Sequence, residues 1–112
     1  EGYSSSSLKH GPFALLDENM PVVILNLDQT HMVKTINCCQ EVASRNSPII
    51  LITNTHDNMQ CINCETVLIP ENKTYGSLLG VVPIQLLAYY LSVERGINPD
   101  KPKNLAKVVT VE

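Results

Sequence analysis

The chain has 112 residues, 44% hydrophobic and 17% charged, which suits one globular domain with material for a core. A net charge of −3 without any Lys/Arg cluster argues against nucleic acid or an anionic membrane surface as a partner. There is no tryptophan and one phenylalanine, so aliphatic side chains must fill the core.

Residues 1–7, Glu-Gly-Tyr and four serines, read as a loop. The opening lacks a signal peptide and an initiator methionine, as expected of the trimmed end of something longer. One serine is expected to cap a short helix over 8–16, with Pro12 in its first turn. A serine-rich loop before a helix can also hold a phosphate. On this reading His10 lies near a helix N-terminus, where a neutral histidine can serve as a base. An ordinary surface histidine is the competing reading.

The apolar run 21–27 predicts a strand buried on both faces. Asp28 or Thr30 can cap the next element. From 30 to 45, Met32, Val33, Ile36, Cys39, Val42 and Ala43 fall at helical spacing, and Asn46-Ser47-Pro48 ends the helix. Residues 49–53, Ile-Ile-Leu-Ile-Thr, predict a second buried strand, so strand, helix and strand form a parallel βαβ unit. Residues 54–63 are polar and turn-like, and 66–70 predict a third, shorter strand. Residues 77–94 predict a helix with almost no polar face, which is buried on most sides or meets another chain. It is short for a membrane span, and Pro83, Gln85 and Ser92 interrupt it. Gly96 suits a C-cap. On composition the tail 103–112 is an edge strand with Lys107 facing solvent.

Cys61 and Cys64 form a CxxC, and Cys38 and Cys39 are adjacent. Neighbouring helical residues point about 100° apart and rarely chelate one ion together. The four cysteines therefore read as reduced, partly buried thiols of a cytoplasmic protein, with no metal and no cofactor expected. The sequon Asn72-Lys73-Thr74 carries little meaning without a secretory signal. His31, His56, Tyr75, Tyr89 and Tyr90 read as structural.

Three stretches carry a resemblance. Leu8-Lys9-His10-Gly11-Pro12-Phe13-Ala14-Leu15 resembles the LKHGPLAL stretch of the glutamine–fructose-6-phosphate aminotransferases (glucosamine-6-phosphate synthases). Pro83-Ile84-Gln85-Leu86-Leu87-Ala88-Tyr89 is similar to their PLQLLAY helix. The last eleven residues, from Pro102 to Glu112, resemble their closing PRNLAKSVTVE.

The resemblance implies an α/β fold. It is a partial doubly wound parallel sheet of the sugar isomerase (SIS) type, flavodoxin-like, with about three strands, flanking helices and a C-terminal tail. Residues 1–98 would be the C-terminal portion of the second SIS domain, and 99–112 a lid over the sugar site. The family makes glucosamine 6-phosphate and glutamate from fructose 6-phosphate and glutamine, in amino sugar biosynthesis. Glutamine is used by a glutaminase domain that this chain lacks, and a homodimer through SIS domains is expected.

Lys107 would form an imine with the open-chain sugar, and His10 would assist ring opening in the neighbouring subunit's site. Lys103, Asn104 and Ala106 would contact substrate. A lysine is mostly protonated at pH 7, so it must be desolvated or set near another cation to act as a nucleophile. Lys103 and the apolar flank Leu105, Ala106, Val108 and Val109 suit that need. Three departures stand out. Ser6-Ser7 replace a glycine–glutamate pair, Lys103 replaces an arginine, and Val108 replaces a serine. The family's catalytic glutamate and phosphate ligands would lie upstream of Glu1, so the chain alone is expected to be inactive. The alternatives are another SIS-type sugar-phosphate isomerase or binding protein, and a non-catalytic dimerising fragment.

Overall fold

The computed structural model describes residues 2–55 and 64–101. Three strands form one parallel sheet in the order β1 (Val22–Asn26), β2 (Ile49–Thr53), β3 (Cys64–Leu68). The register pairs Val22 with Ile49 and Ile49 with Cys64. A three-residue 3-10 turn, Gln29–His31, leads into α1 (Met32–Ala43), which connects β1 to β2. The last helix is α2 (Gly76–Glu94). Two compact units divide the chain, Glu1–Gly80 and Val81–Glu112.

In the first unit the core lies between the sheet and α1. Ile49, Leu51 and Ile52 of β2 and Cys39 and Val42 of α1 are almost fully buried. Burying one such aliphatic side chain is worth about 1.5–3 kcal/mol. α1 has the expected period in a shifted phase. Thr35, Cys38, Cys39 and Val42 face inward, whereas Val33 is exposed. Asp28 accepts from the Thr30 N–H at 2.9 Å, which caps the turn before α1. Ser47 donates its hydroxyl to the Met20 carbonyl, and the Val22 N–H bonds the Pro48 carbonyl at 2.8 Å. These two bonds fix the entries to β1 and β2 side by side.

Burial on both strand faces holds only for the central strand. In β1, Ile24 and Asn26 are buried, but Val23 is 36% and Leu25 43% exposed. β3 begins two residues earlier than its composition suggests, and Val67 and Leu68 are exposed. A strand at the edge of a three-stranded sheet has one neighbour, so its outer side depends on whatever covers it.

The expected helix over 8–16 is instead two 3-10 helices, Ser5–His10 and Pro12–Leu15, separated by Gly11. Gly11 has φ 148°, a region that side chains oppose. No continuous helix can run through it.

α2 starts with its own cap. Asn72 Oδ1 accepts from the Thr74 and Tyr75 N–H groups at 3.0 and 2.8 Å, so the sequon asparagine's carbonyl caps the turn before the helix. Gly76 and Gly80 are the buried residues of the helix, and a Cβ built on Gly80 would lie 2.8 Å from Leu27 Cδ1. The absence of side chains lets α2 approach β1 closely at this point.

In the second unit the helix ends in a Schellman motif. The Ile97 N–H reaches the Ser92 carbonyl at 2.8 Å and the Gly96 N–H the Val93 carbonyl at 2.9 Å, with Gly96 at φ 67°. Pro83 sits inside the helix without ending it. With 19 residues, α2 is long and apolar enough to cross a membrane by length and composition alone, against the sequence expectation. Val82, Leu86, Tyr90 and Leu91 are exposed along it.

Candidate functional site

The N-terminal 3-10 segment is pinned to α1 and to the turn that follows it. Leu8 is buried in the core cluster. Lys9 Nζ lies 2.7 Å from Glu41 Oε1, and the Arg45 guanidinium sits 4.7 Å from the Phe13 ring centroid. Between these anchors His10 is exposed, and its imidazole makes no hydrogen bond or ion pair among the described residues.

His10 closes the first 3-10 helix rather than opening a helix. The next helix has four residues, too few for a useful dipole. The helix-terminus argument for a neutral base therefore does not apply. The serines differ from expectation as well. Ser5, Ser6 and Ser7 are helical, and Ser4 Oγ bonds the hydroxyls of Ser6 at 3.1 Å and Ser7 at 2.8 Å. Ser4 occupies the cap position, yet its side chain caps no backbone N–H.

A second polar group lies at the carboxyl edge of the sheet, where open α/β folds place their ligands. Asn26 and Thr35 bond each other at 3.1 Å. Asn54 Nδ2 donates to the Leu27 carbonyl at 2.9 Å and so ties the loop after β2 to the loop after β1. That bond fixes the amide, and Asn54 Oδ1 is buried without a partner among the described residues. Asn54, Glu41 and Arg45 escape a sequence reading because their partners are distant in the chain.

Cys38 and Cys39 are buried, and Cys64 packs partly against the same core. Burial pushes the Cys38 thiol pKa up, Glu41 adds to that, and Lys9 opposes it. Among the described residues no group of three or more His, Cys, Asp and Glu side chains could hold a metal ion. Cys61 lies outside them.

The second unit contains a cavity of about 320 Å³ lined by Gln85, Ala88, Tyr89, Ser92, Ile97, Asn98 and Pro99. Its Ser92 hydroxyl is committed to the Ala88 carbonyl at 2.8 Å. The lining offers no carboxylate, imidazole or amine. Lys103, Asn104, Ala106 and Lys107 lie outside the described residues, so of the sequence-based candidates His10 alone has a described position.

Three parallel strands, a crossover helix and polar groups at the carboxyl edge define an α/β domain of the open-sheet class. Comparison with known proteins narrows the class. The SIS domain model matches residues 1–95, and the chain belongs to the SIS domain family.

The chain is 50% identical over its full length to a probable glutamine–fructose-6-phosphate aminotransferase (isomerizing) of Acanthamoeba polyphaga mimivirus. It is 44% identical, again over its full length, to the glutamine–fructose-6-phosphate aminotransferase (isomerizing) of Mesorhizobium japonicum. It spans 18% and 19% of the lengths of these relatives. The C-terminal domain of glucosamine-fructose-6-phosphate aminotransferase from Francisella tularensis has the same fold, with a TM-score of 0.80 at 29% identity. That likeness covers 88% of this chain and 29% of the other.

Proposed function

We propose that this chain is the C-terminal part of the isomerase domain of a glutamine–fructose-6-phosphate aminotransferase. One observation carries the reading. Full-length identity of 44–50% to enzymes of that name includes the final residues, which lie beyond the SIS match ending at 95. The fold alone admits many chemistries, whereas the tail resemblance is particular to these enzymes.

In this reading the substrate is fructose 6-phosphate and the product glucosamine 6-phosphate. Glutamine is consumed by a glutaminase domain elsewhere in the longer protein, and two copies pair through their SIS domains in the cytoplasm. Residues 1–98 complete the second SIS domain, and 99–112 lie over the sugar.

The chemistry needs an acid–base group and an amine. His10 takes the proton of the ring hydroxyl as the ketose opens, and returns it to the former ring oxygen. The Lys107 amine attacks the open-chain carbonyl carbon, and water leaves as the imine forms. Lys103, Asn104 and Ala106 contact the sugar phosphate. Lys103 does so as a point charge, without the paired hydrogen bonds of an arginine. The exposed His10, unpartnered within the described chain, suits a group that works on a substrate held largely by other segments.

The test is glucosamine 6-phosphate synthesis by the full-length protein and its Lys107→Ala variant. Loss of sugar isomerisation with glutamine hydrolysis retained supports the reading. Near-normal synthesis by the variant contradicts it.

A further inference from the structure

We infer that α1 and the turn after it position His10 through two tethers that hold the chain on either side of it. The inference rests on the proton-transfer role proposed for His10. Lys9 is joined to Glu41 at 2.7 Å, and Phe13 lies under Arg45 at 4.7 Å. Lys9 and Phe13 bracket the segment His10-Gly11-Pro12. Glu41 is on α1, and Arg45 lies in the turn that follows it, held there by a bond from its N–H to the Val42 carbonyl at 3.0 Å. The two contacts therefore clamp this segment at both ends.

Leu8, buried in the core cluster, supplies a third fixed point. Gly11 at φ 148° turns the chain, and the ring of Pro12 restricts the backbone at the start of the second 3-10 helix. A 3-10 turn has poor hydrogen-bond geometry and little stiffness of its own. A proton-transfer group nonetheless has to be held to within about 0.5 Å of its working position. The clamp supplies that restraint while leaving the imidazole exposed. Glu41 is the more enclosed member of its pair, with 31% of its side chain exposed against 61% for Lys9, so α1 is the fixed side. Glu41 and Arg45 act through the 5–15 segment and are positioning residues, not catalytic ones.

The experiment uses the full-length protein. Amide hydrogen exchange across 5–15 and the steady-state kinetics of sugar isomerisation are measured for Glu41→Gln/Arg45→Ala, Arg45→Lys and His10→Ala. In the double variant, exchange over 5–15 should rise about tenfold while β2 stays protected. Its kcat should fall about tenfold with KM within about twofold. Arg45→Lys keeps a cation over the ring and should stay near the parent in both readouts. Unchanged exchange at 5–15, or equal acceleration in β2, overturns the clamp. Faster local exchange with unchanged kcat overturns positioning. If His10→Ala then also keeps its kcat, the failure lies in the role proposed for His10.

Discussion

Thr35 Oγ1 donates to Asn26 Oδ1 across 3.1 Å, a hydrogen bond between two nearly buried side chains that joins α1 to β1. The same hydroxyl lies 3.2 Å from the His31 carbonyl, and Asn26 Nδ2 reaches the weak acceptor Met32 Sδ at 3.5 Å. Thr35→Val removes the donor and leaves Asn26 Oδ1 buried and unpaired. The expected cost is about 1–3 kcal/mol, read by urea denaturation. The double change Asn26→Leu/Thr35→Val should cost less than the sum of its singles, because it removes both polar partners.

Gly80 lets the first turn of α2 lie against Leu25 and Leu27 within the first unit. An added Cβ would meet Leu27 Cδ1 at 2.8 Å and Leu25 Cδ2 at 3.3 Å, both ends of rotatable side chains. Alanine gains about 1 kcal/mol of helix propensity over glycine, against an overpacking cost of about 1–3 kcal/mol. Gly80→Ala should therefore fall between neutral and about 2 kcal/mol destabilising in thermal denaturation. Gly80→Leu cannot be absorbed by two leucine tips and should lower the melting temperature clearly.

Asp28 makes stability depend on acid. Its carboxylate accepts from the Thr30 N–H, which holds its pKa below the usual value. A lowered folded pKa gives stability that is present above the unfolded pKa, about 3.9, and lost as pH falls through the folded value. The Asp28→Asn variant keeps an acceptor at this cap without a titration. The difference in stability between the two proteins should stay flat above about pH 5 and shrink below about pH 4.

Cys38 acts at the other end of the scale. Its thiol pKa is raised, by burial first and Glu41 second. The contribution is complete below the unfolded thiol pKa of about 8.5 and is lost as pH rises through the folded value. Folded protein at pH 8 should react slowly with iodoacetamide at Cys38, and unfolding should expose it to rapid labelling. Fast labelling of the native state contradicts this.

The elements were legible where pattern and punctuation agree. β2 spans Ile49–Thr53 as expected, because a branched apolar run is bounded by Pro48 and Asn54. α2 is within one residue of expectation, and Gly96 closes it. Where one residue outweighs a pattern, legibility fails. Gly11 splits the expected first helix. Thr35 turns inward because Asn26 offers it a partner, so Val33 turns outward. β3 takes in Cys64 and Glu65 because pairing with Ile49 and Ile50 outweighs their weak strand composition. Of the candidate site, the motif around His10 was legible. Its clamp to Glu41 and Arg45 was not, because it joins residues about thirty positions apart.

The most direct measurement concerns Lys107. Full-length protein is incubated with fructose 6-phosphate and sodium cyanoborohydride, which reduces an imine to a stable secondary amine, and its peptides are then weighed. A sugar-phosphate adduct is expected on Lys107, and it should disappear in Lys107→Arg. An adduct confined to other lysines, or none during active turnover, would contradict the role proposed for Lys107.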